Sequence, residues 1–197
     1  MRNDLDSLPA RIVELARQRI RPGEDEWKAI EQTTHELVAP AIAAHGVENV
    51  VSALLTAKAD PYVAAVLVDM SGVGRAPSDR DLRATELFSD DEIIEGALSY
   101  LKASPGAGLE NGDWAWTTLW NLWGQLEPDA HVRLVRRVIE LVPWDDRMLW
   151  MIGDGPLANL ADDPASLQAV ESTTTEEKVN RIRRLVQVDW PHGSVDN

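Results

Sequence analysis

A chain of 197 residues with 44% hydrophobic and 26% charged content has the make-up of a globular protein, long enough for one core or two small ones. Lys and Arg number 19 against 33 Asp and Glu, and the net charge of −14 disfavours nonspecific binding to nucleic acid or anionic membrane. Without cysteine there is no disulfide framework, thiolate metal site or thiol nucleophile, and no apolar run reaches the roughly 18 residues of a membrane span.

The N-terminus, Met-Arg-Asn-Asp-Leu-Asp, lacks the basic region and apolar stretch of a signal peptide, so a cytoplasmic protein is expected. A first helix opens at Ser7, with Pro9 in its first turn and Ile12, Leu15, Ala16 and Ile20 as its apolar stripe. Arg21-Pro22-Gly23 breaks it. A second helix starts near Glu24 and presents Trp27, Ile30, Thr34, Leu37 and Val38, until Pro40 ends or kinks it. Gly46 precedes a third, with Val47, Val50, Val51, Leu54 and Leu55 at helical spacing. Asp60-Pro61 is a cap followed by proline in the first helical position, and it starts a helix carrying Val63, Val66, Leu67 and Met70.

A single domain is expected over 1–197, and Ser71 to Ser78 reads as a loop, with the one sub-division point near 71–79. A short helix through Leu82 and Leu87 follows, and Ser89-Asp90-Asp91-Glu92 has the form of a capping box, launching a helix through Ile93, Ile94, Ala97, Leu98 and Leu101. Ser104 to Gly112 is the longest glycine-rich connection and the expected mobile loop. Helices over 113–123, Pro128 to Val142 and Trp144 to Ile152 come next. Asp163-Pro164 repeats the cap-and-proline start, and a last helix from Thr175 turns Val179, Ile182, Leu185 and Val186 inward before a frayed tail from Pro191.

No stretch alternates long enough for a strand, so the fold class is all-α. Inside it a pattern repeats: Leu119-Trp120-Asn121-Leu122, with Gly124 two residues on, reads against Leu149-Trp150-Met151-Ile152, with Gly153 next, and Val66 to Gly72 is a fainter copy. Helix pairs with a recurring Leu/apolar/Gly element resemble HEAT repeats, which implies an irregular α-solenoid; the unequal spacing keeps an irregular helical bundle as the other reading. The repeat places Leu119, Leu122, Leu149 and Ile152 in the core.

Catalytic motifs are missing. His35, His45, His131 and His192 match no zinc spacing, Gly153-Asp154-Gly155-Pro156 lacks the Lys-Ser/Thr of a phosphate loop, and there is no Gly-x-Ser-x-Gly elbow. The sequence therefore assigns no catalytic residue, metal ligand or cofactor. Asp145, Asp146, Asp154, Asp162 and Asp163 are the one carboxylate cluster able to support a metal-assisted hydrolase together with a histidine, although helix capping explains most of them.

Charge and tryptophan point elsewhere. Residues 61–130 hold 12 acidic and 4 basic residues, and six of the eight tryptophans lie between Asp113 and Leu160. Exposed tryptophan beside an acidic surface is the make-up of a protein-binding hot spot. The residues singled out are Asp90, Asp91, Glu95, Glu110, Asp113 and Trp114 around the 104–112 loop, with Asp154 between two glycines as the alternative.

The segment Ile152-Gly153-Asp154-Gly155-Pro156-Leu157-Ala158-Asn159-Leu160 resembles the Gly-Pro-Leu-x-x-Leu signature of an uncharacterised family of small bacterial helical proteins. In that family a glutamate follows Gly-Pro-Leu; here Ala158 stands in its place, so no carboxylate role carries over. The resemblance implies a bacterial helical protein and transfers no activity. The functional expectation is an acidic protein-binding module of the immunity or antitoxin kind that blocks a basic toxin-like protein, with no direct binding to nucleic acid or membrane.

Overall fold

The computed structural model describes residues 2–21, 23–72, 82–103, 108–122, 128–160, 163–171 and 174–186, and among these all regular structure is helical. The first half contains α1 (Arg2–Asp6), α2 (Leu8–Arg19), α3 (Glu26–Thr33), α4 (Ala39–His45), α5 (Val47–Leu55), α6 (Pro61–Met70) and α7 (Ala84–Leu87). The second half contains α8 (Asp90–Lys102), α9 (Asp113–Asn121), α10 (Pro128–Leu141), α11 (Asp146–Asp154), α12 (Pro164–Val170) and α13 (Glu176–Val186).

The organising helix of the first half is α6. Asp60 accepts a hydrogen bond from the Tyr62 amide at 3.0 Å, and Pro61 fills the position where an N–H would go unused. Every residue from Tyr62 to Val68 is buried, as is Met70. A helix apolar on all sides must be enclosed, and α6 packs against α2, α3, α5, α7 and α9. A linear stack of helix pairs leaves each helix an outer face; the enclosure of α6 is the geometry of an irregular bundle. One buried apolar cluster runs from Leu8 to Val186, so both halves share a core.

Several expectations met different local physics. Of the two outcomes expected at Pro40, an end or a kink, the helix begun at α3 does not end but runs on through a local distortion. Proline has no N–H to offer the carbonyl of Glu36, and the chain absorbs this with a π turn over Thr34–Val38, in which the Ala39 amide reaches back to Thr34. Of the expected mobile connection, 104–107 lies outside the described residues. Its end is anchored: Leu109 is buried and its amide donates to the Glu26 carboxylate at 2.8 Å. The connection over 71–78 lies, from 73 onward, outside the described residues, as does the tail from Pro191.

In the second half α8 and α9 cross closely. Gly112 sits at φ +94, a left-handed conformation, and a Cβ on it would lie 2.2 Å from the Gly96 carbonyl oxygen. The close crossing packs Trp114 against Phe88, with ring centroids 4.8 Å apart, and stacks Trp116 on Tyr100 at 5.4 Å. α10 lies against α8 and α12, and α11 against α13. Leu119, Leu122, Leu149 and Ile152 are all completely buried, as the repeat requires.

Candidate interaction surface

The acidic edge of α8 is set by its first turn. Ser89 and Glu92 form the reciprocal capping box, which fixes the register in which Asp90, Asp91 and Glu95 leave the helix. Asp90 is engaged: Arg133 of α10 donates to both of its oxygens, at 2.8 and 3.1 Å, and this pairing holds the carboxyl below its ordinary pKa. Asp91 and Glu95, one helical turn apart, are exposed and make no ion pair among the described residues. Asp90 and Asp91 also form one wall of a groove of about 540 Å³, whose other wall carries Arg133, Arg136 and Arg137 of α10.

The other residues expected beside this edge divide. Glu110 is exposed and accepts the Tyr62 hydroxyl at 3.2 Å. Asp113 and Trp114 are structural in position. Asp113 accepts the Trp27 indole N–H at 2.7 Å, and burial first, then the nearby Glu26 and Asp25 carboxylates, raises its pKa. Trp114 is half-buried between Phe88 and the Gly96 crossing. α8 and the base of the 108–112 segment cover both faces of the α9 start, so neither Trp114 nor Trp116 faces solvent freely.

Among the described residues the tryptophans that do are Trp120 at 45% exposure, Trp144 at 62% and Trp150 at 37%. Trp120 and Trp150 are the two aligned tryptophans of the repeat: their Leu neighbours go inward and both indoles come out. The Gly153-Asp154-Gly155-Pro156 turn adjoins both of them. Trp150 and Asp154 are four residues apart on α11, hence neighbours on one helix face, and both are exposed. On the other side, a Cβ on Gly155 would lie 2.9 Å from Cζ2 of Trp116, 3.3 Å from Cζ3 of Trp120 and 2.8 Å from the Met151 carbonyl oxygen. Only glycine lets the turn approach the two indoles this closely.

His131 fastens the turn from beneath. Its Nδ1 lies 2.9 Å from the Leu119 carbonyl oxygen at the end of α9, and its Nε2 lies 2.8 Å from that of Pro156. Both partners are acceptors, so a neutral ring donates through one nitrogen at a time. Burial lowers the pKa of this completely buried imidazole, while the two carbonyls act in the opposite direction. The Asn159 side-chain amide adds a bond to the Trp120 carbonyl at 3.1 Å. Sequence reading missed His131 as an organiser, because both partners are backbone atoms distant in the chain. Lys178 was missed for the same reason. It is buried on α13, donates to the carbonyls of Ile139, Glu140 and Val142 that end α10, and places Nζ 5.8 Å from the Trp144 ring centroid.

Three carboxylates of the hydrolase reading are engaged in other ways, while Asp154 has no partner among the described residues. Asp145 caps α11 through the Met148 amide, Asp146 pairs with Arg181, and Asp163 caps α12 through the amides of Ala165 and Ser166. Asp162 and His192 lie outside the described residues. His35 is exposed on the π turn and His45 ends α4. Among the described residues no three His, Asp or Glu side chains gather as a metal site, and no described helix is long and apolar enough to cross a membrane. No protein-family model, curated protein or solved structure gives a significant match to this chain.

Proposed function

We propose that this chain is an acidic protein-binding module of the bacterial cytoplasm, of the immunity or antitoxin kind, which neutralises a basic toxin-like protein. The observation that carries the reading is the pair of repeat-encoded indoles, Trp120 and Trp150, left in solvent near Asp154, which has no partner among the described residues. Large apolar side chains held out of a core that has ample room for other tryptophans are interface material. The net charge of −14 and the free carboxylates of Asp91 and Glu95 supply the long-range attraction that brings in a basic protein.

The experiment is co-expression with the product of the adjacent open reading frame. A stable complex that dissociates as salt rises, together with relief of that product's toxicity, supports the reading. A neighbour that neither associates nor is neutralised, combined with a rise in Tm on adding divalent metal alone, turns the reading toward a metal-dependent enzyme.

A further inference from the structure

We propose that the Trp120–Asp154–Trp150 patch is a receptor for one guanidinium group, the arginine side chain of a basic partner. The inference rests on the binding-module reading for its biological source, while the chemistry stands on the patch alone.

Three features select the ligand. Asp154 is exposed at the end of α11, and its carboxylate makes no hydrogen bond or ion pair among the described residues. Trp150 stands one turn below it on the same face, and Trp120 abuts Gly155, the next residue in the chain. An exposed carboxylate with one indole a turn away on its own helix and a second against the next residue calls for a cation that is flat and weakly hydrated. Guanidinium meets this: its plane lies over an indole while its N–H fork donates to the carboxylate. An ammonium group is compact and holds its water more strongly. An anion is repelled by Asp154, and a purely apolar group would bury the carboxylate without a partner.

The same chain shows both halves of this recognition satisfied internally elsewhere. Lys178 sets its Nζ against the exposed Trp144 ring, and Arg181 closes on the Asp146 carboxylate. At Asp154 the indoles and the acid are present, and no cation among the described residues is paired with the acid.

The test is a titration of the intact chain with N-acetyl-arginine amide, followed through the indole N–H resonances, with Trp120→Phe and Trp150→Phe assigning the signals. N-acetyl-citrulline amide, the uncharged analogue of the same shape, is the control. The expected result is movement of the Trp120 and Trp150 signals with arginine and not citrulline, a still Trp27 signal, and affinity at least about threefold weaker in Asp154→Asn. The spectrum of the variant reports its fold in the same sample. No movement, equal movement with citrulline, or unchanged affinity in Asp154→Asn overturns the proposal. Because the probe needs no protein partner, its failure leaves the binding-module reading standing on the α8 edge. A chain that finds no basic partner would leave the titration as it is.

Discussion

The Trp27 indole donates its N–H to Asp113 Oδ2 at 2.7 Å, joining two helix starts 86 residues apart. The contact ties the first turns of α3 and α9 together, and it places a carboxylate next to Glu26 and Asp25 in a partly buried site. Asp113 has a folded-state pKa raised above its unfolded value of about 3.9. Its contribution to stability is therefore full below that unfolded value and is lost as pH rises through the folded one. Asp113→Asn keeps an oxygen for the indole and removes the charge. The variant should melt above the parent at pH 7, with the difference shrinking as pH falls toward 4; equal melting at both pH values would show that the buried charge has no consequence.

His131 gives the opposite sign. Its folded pKa is depressed by burial, so its stabilising contribution is present above the unfolded value of about 6.5 and is lost as pH falls through the folded pKa. Denaturant unfolding at pH 7.5 and 5.5 should show a loss in the parent that is smaller in His131→Asn. A parent and variant with the same pH response would contradict this account of the turn.

The repeat makes a paired prediction about stability. Leu149 and Trp150 are adjacent, one fully buried and one 37% exposed. Leu149→Ala should cost roughly 2–5 kcal/mol, the range for truncating a large buried aliphatic. Trp150→Ala should cost far less, nearer the 0.5 kcal/mol or so typical of surface changes. Chemical denaturation of both variants checks the contrast, and similar losses would mean that the exposed indole is part of the core.

Gly155 allows a steric test of the turn. A methyl group there meets the Met151 carbonyl oxygen at 2.8 Å and the Trp116 ring at 2.9 Å, so something must shift. Gly155→Ala should change the fluorescence of Trp116 and Trp120 and destabilise the chain by about 1–3 kcal/mol, as overpacking does. An unchanged emission spectrum and Tm would place the turn farther from the indoles than described here.

Local chemistry was readable from the sequence where the partners were also local. Asp60-Pro61, Ser89 to Glu92, Asp145 and Asp163-Pro164 all start helices, because a cap bonds an amide two or three residues away. Burial at the repeat positions was readable for a related reason, since spacing alone decides which side of a helix a leucine takes. What surrounds a helix was not. The all-apolar run from Tyr62 to Val68 was itself the signal that α6 is enclosed, whereas the recurring Leu/apolar/Gly element, which suggested a solenoid or a bundle, says nothing of what packs around it. Trp114 and Trp120 look alike in sequence. Only the α8 crossing, set by Gly96 and Gly112, covers the first, and nothing comparable covers the second. Lys178 reads as a surface residue until α10 ends above it and offers three carbonyls.

If exposed acids steer a basic protein to this chain, the steering is read from association kinetics. Asp91, Glu95 and Glu110 are exposed, and Glu95 and Glu110 can be reversed to lysine without opening the core, Glu110 giving up its bond to the Tyr62 hydroxyl. Stopped-flow mixing of the parent and the Glu95→Lys/Glu110→Lys variant with the cognate basic protein, over increasing salt, gives the association rate constant. The account predicts a parent rate that falls steeply with salt as the Debye length shrinks toward about 8 Å, and a variant about tenfold or more slower at low salt with its melting temperature little changed. A variant that associates as fast as the parent, with the same salt dependence, would contradict it.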